Sequence, residues 1–265
     1  MSRPTTESTM RINDADLLVR DSGEGVPVVL VQPGLVSGAV YEGIARALSE
    51  KFRIVTFDTR GHGGSTNPSQ ILTFEQLADD TAALIRELNL DRPVVGGWSD
   101  GGEVAIQLGL RHPDLARALI AAGTSLQMGG HEPSRDKNRA FFHTDEHNQP
   151  DLEAFAAEQE NGLLPFLSSL HTRSDTQWQD VVRWSADMWI SYEGLTVSDM
   201  ARIRVPTMVL VGDREEFIPV EEAVRFYQAL PQAELAILPG SDHMRAVFEP
   251  DCVIPILIDF IERHC

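Results

Sequence analysis

Short apolar runs alternate with amphipathic helical patterns along most of this chain, and that alternation constrains the fold more than any other feature. Val28-Val29-Leu30-Val31 is an uninterrupted apolar run, as expected for a strand covered on both faces. Tyr41, Ile44, Ala45 and Leu48 follow at spacings of three and four, which places them on one helix face. Ile54-Val55-Thr56-Phe57 reads as the next strand. Phe74, Leu77, Thr81, Leu84, Ile85 and Leu88 then mark a second helix, and Thr73 with Gln76 predicts a capping box at its start. Pro93-Val94-Val95 opens another strand, with Val104, Ala105 and Leu108 in the helix behind it, and Ala118–Ala122 is a strand again. The pattern resumes later with Thr207–Val211, a helix from about Val220 to Leu230, and the strand Leu235–Leu238. A last helix carries Val253, Ile256, Leu257, Phe260 and Ile261, and Pro255 predicts a kink or a late start in it.

Strands alternating with helices predict an α/β fold, a mostly parallel sheet with helices on both faces. From 126 to 199 the strand signals stop, and polar and aromatic residues with short helical patterns take over. This stretch predicts a helical lid inserted into a core formed by residues 1–125 and 200–265. In open α/β sheets the ligand site lies beyond the carboxyl ends of the strands, so a lid at this point would roof it.

Bulk properties exclude several partners. The net charge of −18 over 265 residues would repel nucleic acid and anionic membrane surfaces. No run approaches the roughly 18 apolar residues of a membrane span, and Met1–Met10 is too polar for a signal peptide, so a cytoplasmic location is expected. Cys252 and Cys265 have no metal-type spacing, and no disulfide is expected of them. His143-x-x-Glu146-His147 resembles an inverted zinc-protease signature, but Asn148-Gln149-Pro150-Asp151 follows at once and reads as a turn. No metal and no cofactor are expected. The patterning specifies no oligomeric state.

The chemistry concentrates in Pro93–Gln107, where a strand runs into Gly97-Trp98-Ser99-Asp100-Gly101 and then into a helix. Such a strand-turn-helix strains the serine backbone, needs small neighbours, and presents the hydroxyl above the sheet edge. The helix that follows supplies N–H groups and a partial positive charge where an oxyanion would develop.

This segment, Gly97-Trp98-Ser99-Asp100-Gly101-Gly102, resembles the nucleophile elbow of the α/β-hydrolase superfamily. It is similar in particular to that of the biphenyl-hydrolase-like enzymes, which include the valacyclovir hydrolase type. Gln32-Pro33-Gly34, Asp58-Thr59-Arg60-Gly61-His62-Gly63-Gly64-Ser65 and Gly240-Ser241-Asp242-His243 extend the resemblance over about residues 10–125 and 200–263. It implies Ser99 as nucleophile, followed along the chain by an acid and then a histidine. His243 is the expected base, since it follows the last strand. Of the other histidines, His131, His143, His147 and His171 lie in the insertion, His264 at the tail, His112 at a helix end and His62 in a Gly-rich loop.

In similar enzymes the acid lies three residues after the glycine of Gly212-Asp213-Arg214-Glu215-Glu216-Phe217-Ile218-Pro219. That position is Glu215, where the family more often has Asp; Asp213 is the competing choice. The resemblance also implies an oxyanion hole from the backbone N–H groups of Leu35 and Asp100. The family commonly has His-Gly in the first of these loops. Pro33-Gly34, preceded by Gln32, keeps the backbone donor and removes the positioning histidine.

The aspartate matching Asp100 in the valacyclovir hydrolase type is associated with recognising a substrate amino group. The other reading of Asp100 is a first-turn carboxylate that complements the helix dipole. Trp178, Trp184, Trp189, Tyr192 and Leu163–Leu167 in the insertion, with Trp98 beside Ser99, predict a largely apolar acyl or alcohol pocket. The expected function is cofactor-independent hydrolysis of a carboxylic ester or lactone on a small-molecule substrate with an apolar portion. The alternatives are a carbon–carbon bond hydrolase or perhydrolase of the same fold, or a ligand-binding protein with vestigial hydrolysis.

Overall fold

The computed structural model describes residues 3–126, 132–160 and 162–265. Among them, eight strands make one sheet: β1 (Thr6–Ile12), β2 (Ala15–Ser22), β3 (Pro27–Val31), β4 (Arg53–Phe57), β5 (Val94–Trp98), β6 (Ala118–Ala122), β7 (Thr207–Gly212) and β8 (Ala233–Leu238). Their spatial order is β1-β2-β4-β3-β5-β6-β7-β8. β3 to β8 run parallel, while β1 pairs antiparallel with β2, and β2 with β4. The continuous apolar runs are the parallel strands, as anticipated.

The antiparallel pair at the edge was not anticipated. β1 is almost wholly exposed and polar, so it has no apolar signal. In β2, Ala15, Leu17 and Val19 alternate inward with a period of two, a weaker signal than the unbroken apolar runs of the parallel strands.

The helices are α1 (Glu42–Leu48), α2 (Phe74–Glu87), α3 (Asp100–Arg111), α4 (Glu132–Phe141), α5 (Leu152–Gln159), α6 (Leu163–Leu170), α7 (Gln177–Ser191), α8 (Val197–Met200), α9 (Val220–Ala229), α10 (Arg245–Phe248) and α11 (Ile254–Arg263). Alternate residues of each central strand feed two cores. Val29, Val31, Val55, Val95, Leu119 and Val209 pack against Leu77 and Leu84 of α2, Val104 and Leu108 of α3, and Phe226 of α9. Val28, Leu30, Ile54, Val94, Ile120 and Leu210 pack on the opposite face against Ile44 and Leu48 of α1 and Leu257, Phe260 and Ile261 of α11. Burying each such side chain contributes on the order of 1.5–3 kcal/mol, which anchors the carboxyl ends of the strands where the site lies.

Three local expectations are refined. Tyr41 belongs to a 3-10 turn, Gly38–Tyr41, and caps α1 rather than joining it. Thr73 caps α2 by accepting the Gln76 N–H, but the Gln76 side chain donates to Asp80 at 3.1 Å instead of closing a capping box. Pro255 is the second residue of α11 and marks its late start.

α4 to α8 all fall between β6 and β7. Phe142, Phe155, Leu167, Val181, Val182 and Ala186 from this stretch form a third apolar cluster with Leu35 and Val36 of the loop after β3. Among the described residues, no helix is long and apolar enough to cross a membrane.

Candidate active site

Ser99 stands between β5 and α3 with φ 57° and ψ −120°, a sparsely populated backbone conformation that costs on the order of 1–3 kcal/mol. Close packing enforces it. A Cβ at either Gly97 or Gly101 would run into the Val31 carbonyl oxygen, so only glycine fits on both sides of the turn. The Ser99 N–H donates to the Ala122 carbonyl at 2.7 Å, and its own carbonyl accepts from Gly102 and Glu103. Tyr41 braces the turn from beneath: its hydroxyl donates to the Val31 carbonyl at 3.0 Å and accepts the Trp98 N–H at 2.9 Å. Burial pushes the Tyr41 phenol well above its ordinary range, so it stays a neutral bridge.

The loop after β7 meets the loop after β8 at His243. Both carboxylate oxygens of Glu215 lie 2.8 Å from His243 Nδ1, and the Glu215 side chain is fully shielded from solvent. Glu215 Oε1 also accepts the Phe217 N–H at 3.0 Å. Asp213 sits elsewhere, accepting the Ser241 N–H at 3.2 Å. Glu216 accepts the backbone N–H of His243 at 3.1 Å. Of the three acidic residues in this loop, Glu215 is the one whose carboxylate meets the imidazole. Phe217 packs edge-on against that ring at 4.8 Å and Trp98 at 6.4 Å.

Ser99 and His243 open into one cavity of about 740 Å³. Pro33–Val36 line it together with Phe141, Leu163, Phe166 and Trp189 from the stretch between β6 and β7. Trp98 is buried against His243 instead of facing the cavity. Trp178 of α7 stacks on Phe155 of α5. Of the four tryptophans, Trp189 alone lines the pocket that the aromatic content predicted.

Leu35 adopts φ 65°, a left-handed conformation that costs a non-glycine residue about 1–2 kcal/mol. Gln32 braces this loop, donating to the Val36 carbonyl at 2.6 Å and accepting the Thr59 N–H at 3.1 Å. His171, at the end of α6, donates to the Leu35 carbonyl across 2.9 Å and accepts the Gly63 N–H at 3.0 Å.

Asp100 is buried in the first turn of α3. Its Oδ2 accepts the Trp189 indole N–H at 3.0 Å, and its Oδ1 has no hydrogen-bond partner among the described residues. Burial pushes its carboxyl up to about 7, against the opposing pull of the Trp189 hydrogen bond and the His243 charge. Asp100 itself does not line the cavity; Trp189, its hydrogen-bond partner, does.

The Asp58–Ser65 segment is built for positioning. Asp58 accepts the N–H groups of Gly38 and Gly64, and buried Arg60 makes a two-pronged ion pair with Asp80 of α2. His143 and His147 lie in a turn bridged by Thr144 and Pro150, with His143 at φ 51°, so they share no helix face. His143 pairs with Glu158 instead. His131 lies outside the described residues.

A family model for the alpha/beta hydrolase fold matches residues 27–250. The chain belongs to this family. A 2-(acetamidomethylene)succinate hydrolase of Mesorhizobium japonicum is 25% identical over 259 residues, covering 93% of this chain and 91% of that one. A 2-hydroxy-6-oxo-6-(2'-aminophenyl)hexa-2,4-dienoic acid hydrolase of Metapseudomonas resinovorans is 25% identical over 92% of this chain and 87% of its own. A thermophilic esterase from Thermogutta terrifontis superposes with a TM-score of 0.79 at 21% identity, covering 98% of this chain and all of that one. That last likeness is one of fold. These relatives are named for different substrates and activities, so family membership makes this chain a hydrolase without choosing its substrate.

Three residues of the site carried little signal in the sequence. Tyr41 read as one apolar position of a helix, His171 as one of several insertion histidines, and Gln32 only as the residue before Pro33-Gly34. Each acts on backbone groups outside its own element, and no spacing rule reports such contacts.

Proposed function

We propose that this chain is a cofactor-independent serine hydrolase that cleaves a carboxylic ester or lactone of a small molecule through Ser99, His243 and Glu215. The contact of Glu215 with His243 Nδ1, beside the cavity that Ser99 faces, is the observation that carries this reading. With Nδ1–H donating to Glu215, His243 keeps Nε2 free as a base.

In this mechanism Ser99 Oγ attacks the acyl carbon while its proton passes to His243 Nε2. The negative charge on the former carbonyl oxygen is met by the N–H groups of Leu35 and Asp100, at the positive end of α3. Collapse expels the alcohol oxygen, which takes the proton from His243, and leaves an ester on Ser99. Water then attacks that ester, passing a proton through His243 back to Ser99 as the carboxylic acid departs. Glu215 orients the ring and stabilises the imidazolium without being protonated itself.

The inserted segment 126–199 acts as a lid in this reading: Phe141, Leu163, Phe166 and Trp189 give the cavity an apolar roof suited to an acyl or alcohol group. A panel of p-nitrophenyl esters, lactones, amino-acid esters and a vinylogous 1,5-diketone acid tests the proposal. Turnover of an ester or lactone that disappears in Ser99→Ala supports it; turnover of the diketone acid alone would replace it with carbon–carbon bond hydrolysis.

A further inference from the structure

We propose that His171, supplied by the inserted helices, is a positioning residue for the oxyanion hole, holding Leu35 in place through its carbonyl. The proposal rests on the serine-hydrolase reading above, because it concerns the Leu35 N–H assigned there to the oxyanion.

The hydrogen-bond pattern leaves one arrangement of the ring. The Gly63 N–H, 3.0 Å from His171 Nδ1, can only donate, so Nδ1 is the bare acceptor. Nε2 therefore carries the proton and donates it to the Leu35 carbonyl at 2.9 Å. Burial holds the ring below its ordinary pKa, which keeps this neutral form in place. Protonation would set two donors, Nδ1–H and the Gly63 N–H, against each other.

The two partners of His171 differ in what else restrains them. The Gly63 loop is fastened independently: Gln177 donates to the Gly61 and Gly63 carbonyls at 2.8 and 2.9 Å, and Asp58 accepts the adjacent Gly64 N–H. Leu35 is the strained member, held at φ 65° in a loop that begins with Pro33-Gly34. Gln32 holds the next carbonyl, that of Val36. His171 is the residue that fixes Leu35 itself, through the Leu35 carbonyl. The peptide N–H preceding that carbonyl is the proposed oxyanion donor, so its aim depends on a side chain from the insertion. In this way the chain positions its oxyanion loop without a histidine in the loop.

The two bonds can be separated by substitution. His171→Gln places an amide N–H close to the position of Nε2 and can keep the Leu35 bond. His171→Asn places its amide near Nδ1, keeps an acceptor for Gly63, and cannot reach Leu35. Gln177→Ala loosens the same loop without touching Leu35. Turnover of p-nitrophenyl butyrate is measured per active site titrated with an alkyl fluorophosphonate, which normalises for any unfolded fraction. Inhibition by butylboronic acid, whose serine adduct mimics the tetrahedral intermediate, is measured alongside.

The expected result for His171→Asn is a 10- to 100-fold lower kcat with KM changed less than threefold, and a parallel weakening of the boronic acid. His171→Gln is expected within about fivefold of wild type, and Gln177→Ala within threefold. A kcat for His171→Asn within twofold of wild type, or equal losses in the Gln and Asn variants, would overturn the proposal alone. Failure of the fluorophosphonate to label wild-type Ser99 would overturn the hydrolase reading and this proposal with it.

Discussion

His243 and Glu215 meet through two short contacts, with both carboxylate oxygens 2.8 Å from Nδ1. A glutamate stands where the family more often has an aspartate, and the Phe217 N–H of the same loop bonds back to its carboxylate. Glu215→Gln is expected to lower turnover by about 10²- to 10⁴-fold with little loss of stability, as removal of an orienting carboxylate does elsewhere. Asp213→Asn, at a carboxylate that accepts the Ser241 N–H and pairs with the exposed Arg214 guanidinium, should cost less than about fivefold. Steady-state kinetics on the two variants checks this, and the opposite ranking would move the acid to Asp213.

Tyr41→Phe removes one hydroxyl and leaves two buried backbone groups unpaired, the Trp98 N–H and the Val31 carbonyl. The expected cost is about 1–3 kcal/mol of stability, because unmet buried polar groups lose their hydration without compensation. Turnover should fall several-fold as the elbow loosens. Urea unfolding of the variant beside wild type measures the first effect; an unchanged midpoint would show that Tyr41 does not brace the turn.

Asp100 and Glu103 lie one helical turn apart, both buried, and burial pushes both carboxyls up to about 7. A carboxyl raised above its unfolded value favours folding most when protonated. That stability is complete below about pH 4 and is lost as pH rises through about 7. Asp100→Asn cannot ionise and escapes the loss. Its melting temperature relative to wild type should therefore rise between pH 5 and pH 8, as should that of Glu103→Gln. Thermal melts across this range test the point; parallel curves would show that neither group is protonated in the folded protein.

Much of this architecture is legible in the residues themselves. The parallel strands announce themselves because burial on both faces demands unbroken runs such as Val28–Val31, and Ser99 because only glycines fit beside it. The edge hairpin was obscured by the exposed face of β1. The braces on the site escaped for another reason. Tyr41, Gln32 and His171 hold carbonyl and N–H groups 4 to 136 residues away, and backbone partners leave no trace in side-chain spacing. Glu215 lay between: the resemblance put it first, and its distance to His243 separates it from Asp213.

Ser99→Ala is the decisive variant for Ser99 as the nucleophile of a covalent hydrolysis. Wild type treated with a fluorophosphonate should gain one adduct mass, located by peptide mapping on Ser99, and lose its esterase activity. Ser99→Ala should take up no label and turn over p-nitrophenyl butyrate at least about 10⁴-fold more slowly, since the remaining site offers only residual catalysis. Retention of more than about a tenth of the wild-type rate in Ser99→Ala would exclude Ser99 as the nucleophile.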